Sequence, residues 1–298
     1  MIDILIDGVL RGGVYAIAAL GYVLVYRASK VVNLAHGTFA LTSAYLFWAL
    51  SPDLGPVGAL IAIIPLSFIL AAVVERAVVR PMLGEPVIQI IAATIGVSYL
   101  LKGLLLAWLQ VRYALPGWLL VPFEHSLFPR GFLEVAGLRL DFNFAGSFLA
   151  SLASFGFFYW FYKNTSLGVA MRAMSNDRVS AVAFGIKSSE SIAIAWALSG
   201  ILAALAGVFY ASIYGGASGQ VEYIGIKALP VIILGGLDSV GGALVAGVAI
   251  GVLEVLGKLY LEPLFGGGFG EVFPLLFMIA VLLVRPYGLF GTERIERV

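Results

Sequence analysis

The chain has 298 residues, 61% of them hydrophobic and 12% charged, with a formal net charge of +1 and a mean hydropathy of +1.02. A soluble domain cannot cover that much apolar surface, and in lipid only helices and closed barrels satisfy the backbone; the apolar runs are long and lack a barrel's two-residue alternation, so the expected fold is all-α, a polytopic transmembrane helix bundle. The near-zero charge offers no basic field for nucleic acid, and the absence of cysteine excludes disulfides, thiolate metal sites and a cysteine nucleophile.

The opening residues, MIDILIDGVL, carry Asp3 and Asp7 where a signal peptide would carry positive charge, so they are expected to stay in the mature protein. Candidate spans follow at 4–26, 36–51, 57–75, 88–109, 143–162, 191–213, 223–237, 241–260 and 271–285, roughly eight or nine in all. They are expected to form a single transmembrane domain over 1–298, with no soluble domain read at either end of this sequence. In the first span Gly8 and Gly12 form a G-x-x-x-G pair suited to close helix contact within the bundle or with a partner. Tyr15, Ala19, Tyr22 and Tyr26 share one face, either lining a path for a small zwitterion or packing the core. Asn33 and His36 flank the entry to the second span, where His36 is either a proton relay or a structural hydrogen-bonding residue. Two apolar stretches look short. As helices, 38–50 would reach about 20 Å and 223–237 about 22 Å, against a hydrocarbon core of about 30 Å. Short or broken segments often line mid-membrane cavities.

Lys and Arg set the orientation. With the N-terminus outside, the inner loops hold Arg27, Lys30, Arg76, Arg80, Lys163, Arg172, Arg178, Lys187, Arg285, Arg294 and Arg297, and the outer loops hold Arg112, Arg130 and Arg139. Arg11, Lys102, Lys227 and Lys258 fall inside spans, and assigning all four to the outside leaves the bias intact. The loop 163–190 and the C-terminus are therefore expected on the cytoplasmic side. The longest outer connection, 110–142, mixes proline, aromatic and acidic residues and is expected to be partly structured. Val79-Arg80-Pro81 and Val284-Arg285-Pro286 echo one another; Arg at the inner interface and Pro as a helix stop account for both.

Asn164 to Ser189 is a polar island between apolar spans. Within it Val179, Val182, Ala183 and Ile186 fall on one helical face, Asn176 or Asp177 can cap the start, and Gly185 can end the helix in a left-handed turn with Ile186 folding back. A helix of about two turns is unstable alone in water, so it needs a surface to lie on. That surface is either the bundle's own inner face or a cytoplasmic motor. Further on, Gly235, Gly236, Asp238, Gly241 and Gly242 form a turn between two spans, read as a tight inner hairpin that can also serve as a hinge or second motor contact. Gly247 and Gly251 form a second G-x-x-x-G, and Glu254 is the acid deepest in a span. An acid in lipid is either functional or bonded to a neighbouring helix.

Five stretches, in order, resemble one family. GVAMRAMSNDRVSAVAFGI is similar to the cytoplasmic signature loop of the bacterial branched-chain amino acid ABC transporter permeases. LGYVLVYRASKVVNLAHGTFAL resembles that family's first span and Asn-x-x-His-Gly motif, and ERAVVRPM its inner-loop pattern. GIKALPVIILGGLDSVGGALVAGVAIGVLE resembles its glycine-rich late spans and VRPYGLFG its C-terminal signature. Urea and amide importers share these motifs. The resemblance implies a type II importer-like permease in the bacterial inner membrane, a subunit without catalytic or metal sites. It would assemble with a second permease, two cytoplasmic ATPase subunits that use the ATP, and a periplasmic solute-binding protein. It places Arg172, Ala173, Asn176, Ala181 and Gly185 at signature-loop positions, and with Asp177 these are the candidate ATPase-coupling residues. Tyr15, Tyr22, Asn33, His36 and Glu254 are the candidate pathway residues. Pro230 departs from the family's pattern and is expected to bend its span.

What the chain lacks fits a subunit that binds no cofactor. There is no G-x-x-x-x-G-K-[ST] phosphate loop, since Gly257-Lys258 is followed by Leu259. Its two histidines, His36 and His125, fall on opposite sides of the bilayer, which speaks against a membrane-embedded enzyme. The alternative reading is an ion-coupled secondary transporter, motivated by Glu254, His36 and the short spans.

Overall fold

A computed structural model describes residues 2–115, 117–129, 131–135 and 138–292. Of the residues used above, Arg130, Arg294 and Arg297 lie outside the described residues, as do the side chains of Asp3, Arg139, Arg178 and Val179.

The first helix, α1 (Ile2–Ser29), is apolar on nearly every side and is the hub of the bundle; its residues from Val14 to Val25 are buried. Helix α2 (His36–Val74) is two antiparallel arms. Gly55 takes a left-handed, non-helical conformation (φ 69°) between Pro52 and Pro56, and the chain reverses there. The proof is Ser43 Oγ lying 2.9 Å from Ser67 Oγ. In one straight helix those residues would stand about 36 Å apart. The arms, 36–54 and 56–74, match two separate predicted spans, but the first is longer than the 38–50 stretch suggested. The helix runs on through Ser51-Pro52-Asp53-Leu54, where the apolar pattern had already stopped.

A π-helical turn, Glu75–Val79, follows. Its wider winding brings residues five apart onto one line, and Glu75, buried, receives two bonds of 3.2 Å from the Arg80 guanidinium. A 3-10 turn, Arg80–Met82, then carries the chain through Pro81, and the backbone becomes extended at Leu83. Helix α3 (Val87–Tyr113) leads to the strands β1 (Val121–Pro122), β2 (Phe132–Val135) and β3 (Leu138–Asp141), so the predicted outer connection is partly structured. β2 and β3 pair antiparallel with Phe132 opposite Asp141.

Helix α4 (Phe142–Asn164) is followed by two short helices, α5 (Ser166–Asn176) and α6 (Arg178–Ala183), and by α7 (Ser188–Ile213). Strand β4 (Gly216–Ala217) pairs antiparallel with β1. Helix α8 (Tyr223–Gly235) has 13 residues, about 20 Å, and continues through Pro230. Helix α9 (Val240–Leu256) passes through a second π-turn, Gly257–Leu261, into α10 (Glu262–Phe265), and α11 (Phe269–Val284) completes the bundle. By length and apolarity six helices among the described residues can cross a membrane, with His36–Met82 counted once; Phe269–Val284 is a shorter apolar helix.

Small residues set the closest approaches. Gly8 and Gly12 of α1 lie directly on Gly251, Gly247 and Val248 of α9. A methyl on Gly12 would stand 2.5 Å from Val248 Cα, so the two G-x-x-x-G pairs pack on each other within the bundle. The regions placed by sequence on one side of the membrane also meet in space. At one end, here the basic end, Arg27 donates to the Asp238 carbonyl and Arg80 to the Ser189 carbonyl. At the strand end Tyr45 donates to the Leu119 carbonyl at 3.0 Å and Phe123 to the Gly215 carbonyl at 3.2 Å.

Candidate functional site

The polar island folds by local rules. Thr165 caps α5 by accepting from the Gly168 amide at 3.1 Å. Gly168 sits against the Phe161 and Tyr162 carbonyls, where a methyl would fall 2.6 Å from the former. α5 lies upstream of the helix read from the sequence, and Gly168, Met171 and Met174, three residues apart, form its buried face. Asp177, in extended backbone, separates the two helices and caps α6, its carboxylate accepting from the Ser180 amide at 3.2 Å. It is thus Asp177, not Asn176, that fills the capping role. Gly185 (φ 85°) ends α6, with the Gly185 amide on the Val182 carbonyl at 2.9 Å and the Ile186 amide on the Ala181 carbonyl at 3.1 Å. This pair of bonds is a Schellman cap.

Only part of the island's apolar surface turns inward. Ala181 is buried, Arg172 and Ala173 are half-buried, and Asn176, Asp177, Ala183 and Gly185 are exposed. Val182 is exposed, and Phe184 is 88% exposed. With Leu167 and Val169 also exposed, the island presents several uncovered apolar side chains. Phe184 stands inside the motif quoted above, yet its position past the amphipathic turn gave no signal. Lys187 pairs with Glu190 at 2.9 Å; the hydrogen bond, then the carboxylate's charge, raise the lysine's pKa.

The island is wired to the rest of the basic end through one ring. Arg172 donates to the Tyr162 carbonyl and lies over the Tyr162 ring, 5.5 Å from its centroid. Arg27 stacks on the same ring at 5.2 Å and donates to its hydroxyl at 2.8 Å. Arg27 also holds the Asp238 carbonyl, and the Asp238 carboxylate accepts from the Thr292 hydroxyl. The glycine turn is docked against the C-terminal segment as well: the Leu289 amide bonds the Leu234 carbonyl at 2.8 Å and Phe290 the Gly235 carbonyl at 3.2 Å. Gly235 and Gly242 touch backbone to backbone and Gly236 (φ 101°) lies on Gly291, whereas Gly241 faces open space. A cavity of about 580 Å³, bordered by Arg27, Lys30, Asn176, Asp238 and Tyr287, separates the island from this turn. No sequence pattern pointed to Tyr162, because the ring is shared by residues from α1, α4 and α5.

The candidate pathway residues form two buried clusters. Glu254 accepts from the Tyr15 hydroxyl at 2.7 Å and binds Lys227 at 2.9 Å and Lys258 at 3.0 Å. Lys227 also reaches Glu271 at 3.6 Å. Lys258, four residues after Glu254, was a legible partner; Lys227, on another helix, was not. In the second cluster the His36 ring packs tilted against Tyr22 with centroids 4.4 Å apart, faces Ser199 Oγ at 3.2 Å and fills the space left by Gly21. The Tyr22 hydroxyl donates to the Gly225 carbonyl at 3.1 Å, and Asn33 Oδ1 accepts from the Ala35 amide at 3.0 Å, turning the chain into α2. Tyr15, Tyr22, Asn33, His36 and Glu254 are each at most 2% exposed. Among the described residues no cluster of three His, Cys, Asp or Glu could hold a metal ion.

Residues 4–284 match the family model described as "Branched-chain amino acid transport system / permease component". Among curated proteins, the chain is 29% identical to the high-affinity branched-chain amino acid transport system permease protein BraD of Pseudomonas aeruginosa, over 99% of this chain and 97% of that protein. It is 28% identical to the LivH permease protein of the corresponding Escherichia coli K12 system, over 98% and 96%. It is also 28% identical to the probable branched-chain amino acid transport permease protein LivH of Methanocaldococcus jannaschii, over 97% and 92%. No solved structure matches.

Proposed function

From the premise that this chain belongs to the permease-component family of branched-chain amino acid transport systems, we propose that it is the multi-pass gate of an ATP-driven importer for branched-chain amino acids or similar small solutes. It would sit in the bacterial inner membrane, with the strand end outside and the basic end in the cytoplasm, and cross nine times when the two α2 arms, α8 and α11 are counted. ATP would be bound and hydrolysed by two partner ATPase subunits. A second permease would complete the pore, and a periplasmic binding protein would deliver the solute.

The observation that carries this reading is the exposed apolar tip of the island, Val182 and Phe184, joined to the bundle through Arg172, Tyr162 and Arg27. An ATPase seated on α6 would push on the Tyr162 ring and, through Arg27, on the 235–242 turn. Arg172, Ala173, Asn176, Asp177, Ala181 and Gly185 shape that seat. Gly235, Gly236, Asp238, Gly241 and Gly242 form the element that receives the push. Tyr15, Tyr22, Asn33, His36 and Glu254 hold the pathway helices in register from behind.

Phe184→Asp tests the seat. Its side chain is exposed, so the permease should fold normally. The ATPase should fail to co-purify, and ATP-dependent uptake should fall at least about tenfold. Retained co-purification and uptake would contradict the assignment. Glu254, which motivates an ion-driven carrier, already binds two ammonium groups. Releasing and recapturing a proton there would mean breaking both pairs in each cycle, which favours the ATP-driven reading.

A further inference from the structure

At the strand end, a cavity of about 690 Å³ lies between α3, the 117–120 segment and the start of α8, a volume in the range of small-molecule sites. At its wall Lys102 Nζ stands 3.0 and 3.2 Å from the two carboxylate oxygens of Glu222. Neither residue is an ordinary surface charge. Lys102 lies in mid-α3, three turns from its end, and both side chains are largely shielded, 23% and 28% exposed. Glu222 is also pre-set by hydroxyls: Thr38 donates to Oε1 at 3.1 Å, and Ser98 Oγ lies 2.6 Å from Thr38 Oγ1. Trp118, Leu120, Tyr223 and Ile226 form an apolar and aromatic wall of the same space, and Ser218 and Gln220 border it with polar groups. The backbone here is irregular. The chain leaves α7 at Ile213 and passes through β4 and a 3-10 turn, Gly219–Glu222, before the short α8 begins. Within a membrane-embedded bundle, non-helical backbone is tolerated where it lines a cavity.

We propose that this cavity is an entry subsite for a zwitterionic amino acid with an apolar side chain. Lys102 takes the α-carboxylate, Glu222 the α-ammonium, and the Trp118–Ile226 wall the side chain. The chemistry is an exchange of partners. An internal ion pair opens, each member gains an opposite charge from the solute, and the total buried charge stays at zero. A solute with a single charge would leave one member of the pair unmatched, which costs far more than the exchange. The fit of the side chain rests on the reading of this chain as an amino acid permease; the charge pair and the cavity stand without it.

The native chain has no cysteine, so an introduced thiol is the only one in this subunit, and its modification is read on this subunit by mass spectrometry. Ser218 borders the cavity, and Ser218→Cys changes one atom. In liposomes holding the complete importer, the rate at which a small methanethiosulfonate modifies this thiol is measured with and without leucine. Saturating leucine should slow modification at least about tenfold. 4-Methylpentanoate and isoamylamine, which keep the side chain but carry one charge each, should not. Lys102→Met or Glu222→Gln should raise the leucine concentration needed for protection about tenfold. A modification rate indifferent to leucine, or equal protection by the singly charged analogues, would overturn the proposal even if neither pair variant folds. ATP-dependent leucine uptake by the same liposomes decides the other question. Uptake without protection refutes the subsite and leaves the importer reading intact; protection without ATP-driven uptake does the reverse.

Discussion

Glu254 shows how a charge survives among apolar helices. It sits 2% exposed in α9, yet every direction it faces supplies a donor: Tyr15 from α1, Lys227 from α8 and Lys258 one turn on. Removing its charge would leave two ammonium groups without their shared partner. Glu254→Gln is therefore expected to cost about 3 kcal/mol of stability, read as a lower thermal unfolding temperature of the purified permease. The additional change Lys227→Met should recover part of that loss. An unchanged unfolding temperature in Glu254→Gln would mean that the cluster is not structural. His36 is held differently, by shape: its ring occupies the space that Gly21 leaves open and packs tilted against Tyr22. Gly21→Val should accordingly lower expression and stability more than the same change at Gly103, which has no neighbour within reach. Equal effects at the two positions would contradict that packing.

At the scale of elements, the glycine turn separates two roles that its sequence runs together. Gly242 touches the Gly235 carbonyl and Gly236 has a positive φ against Gly291, while Gly241 opens onto free space. Gly235→Ala and Gly242→Ala should each destabilise the α8–α9 junction by about 1–3 kcal/mol, and Gly241→Ala should be neutral within about 0.5 kcal/mol. Thermal unfolding of the three variants checks this. A cost at Gly241 equal to that at Gly235 would contradict the packing described. The same contrast shows what the sequence could reveal. The positions of the long apolar helices, the Asp177 and Gly185 caps of α6 and the two G-x-x-x-G pairs were legible because each depends on residues near one another in the chain. The full length of the first α2 arm was hidden by Pro52 and Asp53, which continue the helix without apolar character. Two-residue strands such as β1 and β4 carry no period at all. The Tyr162 sandwich, the Lys227–Glu254 pair and the Lys102–Glu222 cavity join residues from different helices, and only their convergence in space identifies them.

For the whole molecule, α1 is the shared strut. It carries the backbone contact with α9, the Tyr15 bond to Glu254 and, at its basic end, the Arg27 link between the island and the glycine turn. On the proposed reading, these contacts are the route by which a push on α6 would reach the helices beside the candidate entry site. This account stands or falls on where the island's tip lies and what covers it. The most direct measurement is the reactivity of a single thiol placed by Phe184→Cys in the otherwise cysteine-free chain, probed with a membrane-impermeant maleimide. The account expects rapid labelling in inside-out vesicles stripped of the ATPase, none from the opposite face, and protection when the ATPase subunits are added back. Labelling from the face opposite ATP hydrolysis, or labelling that the ATPase does not alter, would contradict it.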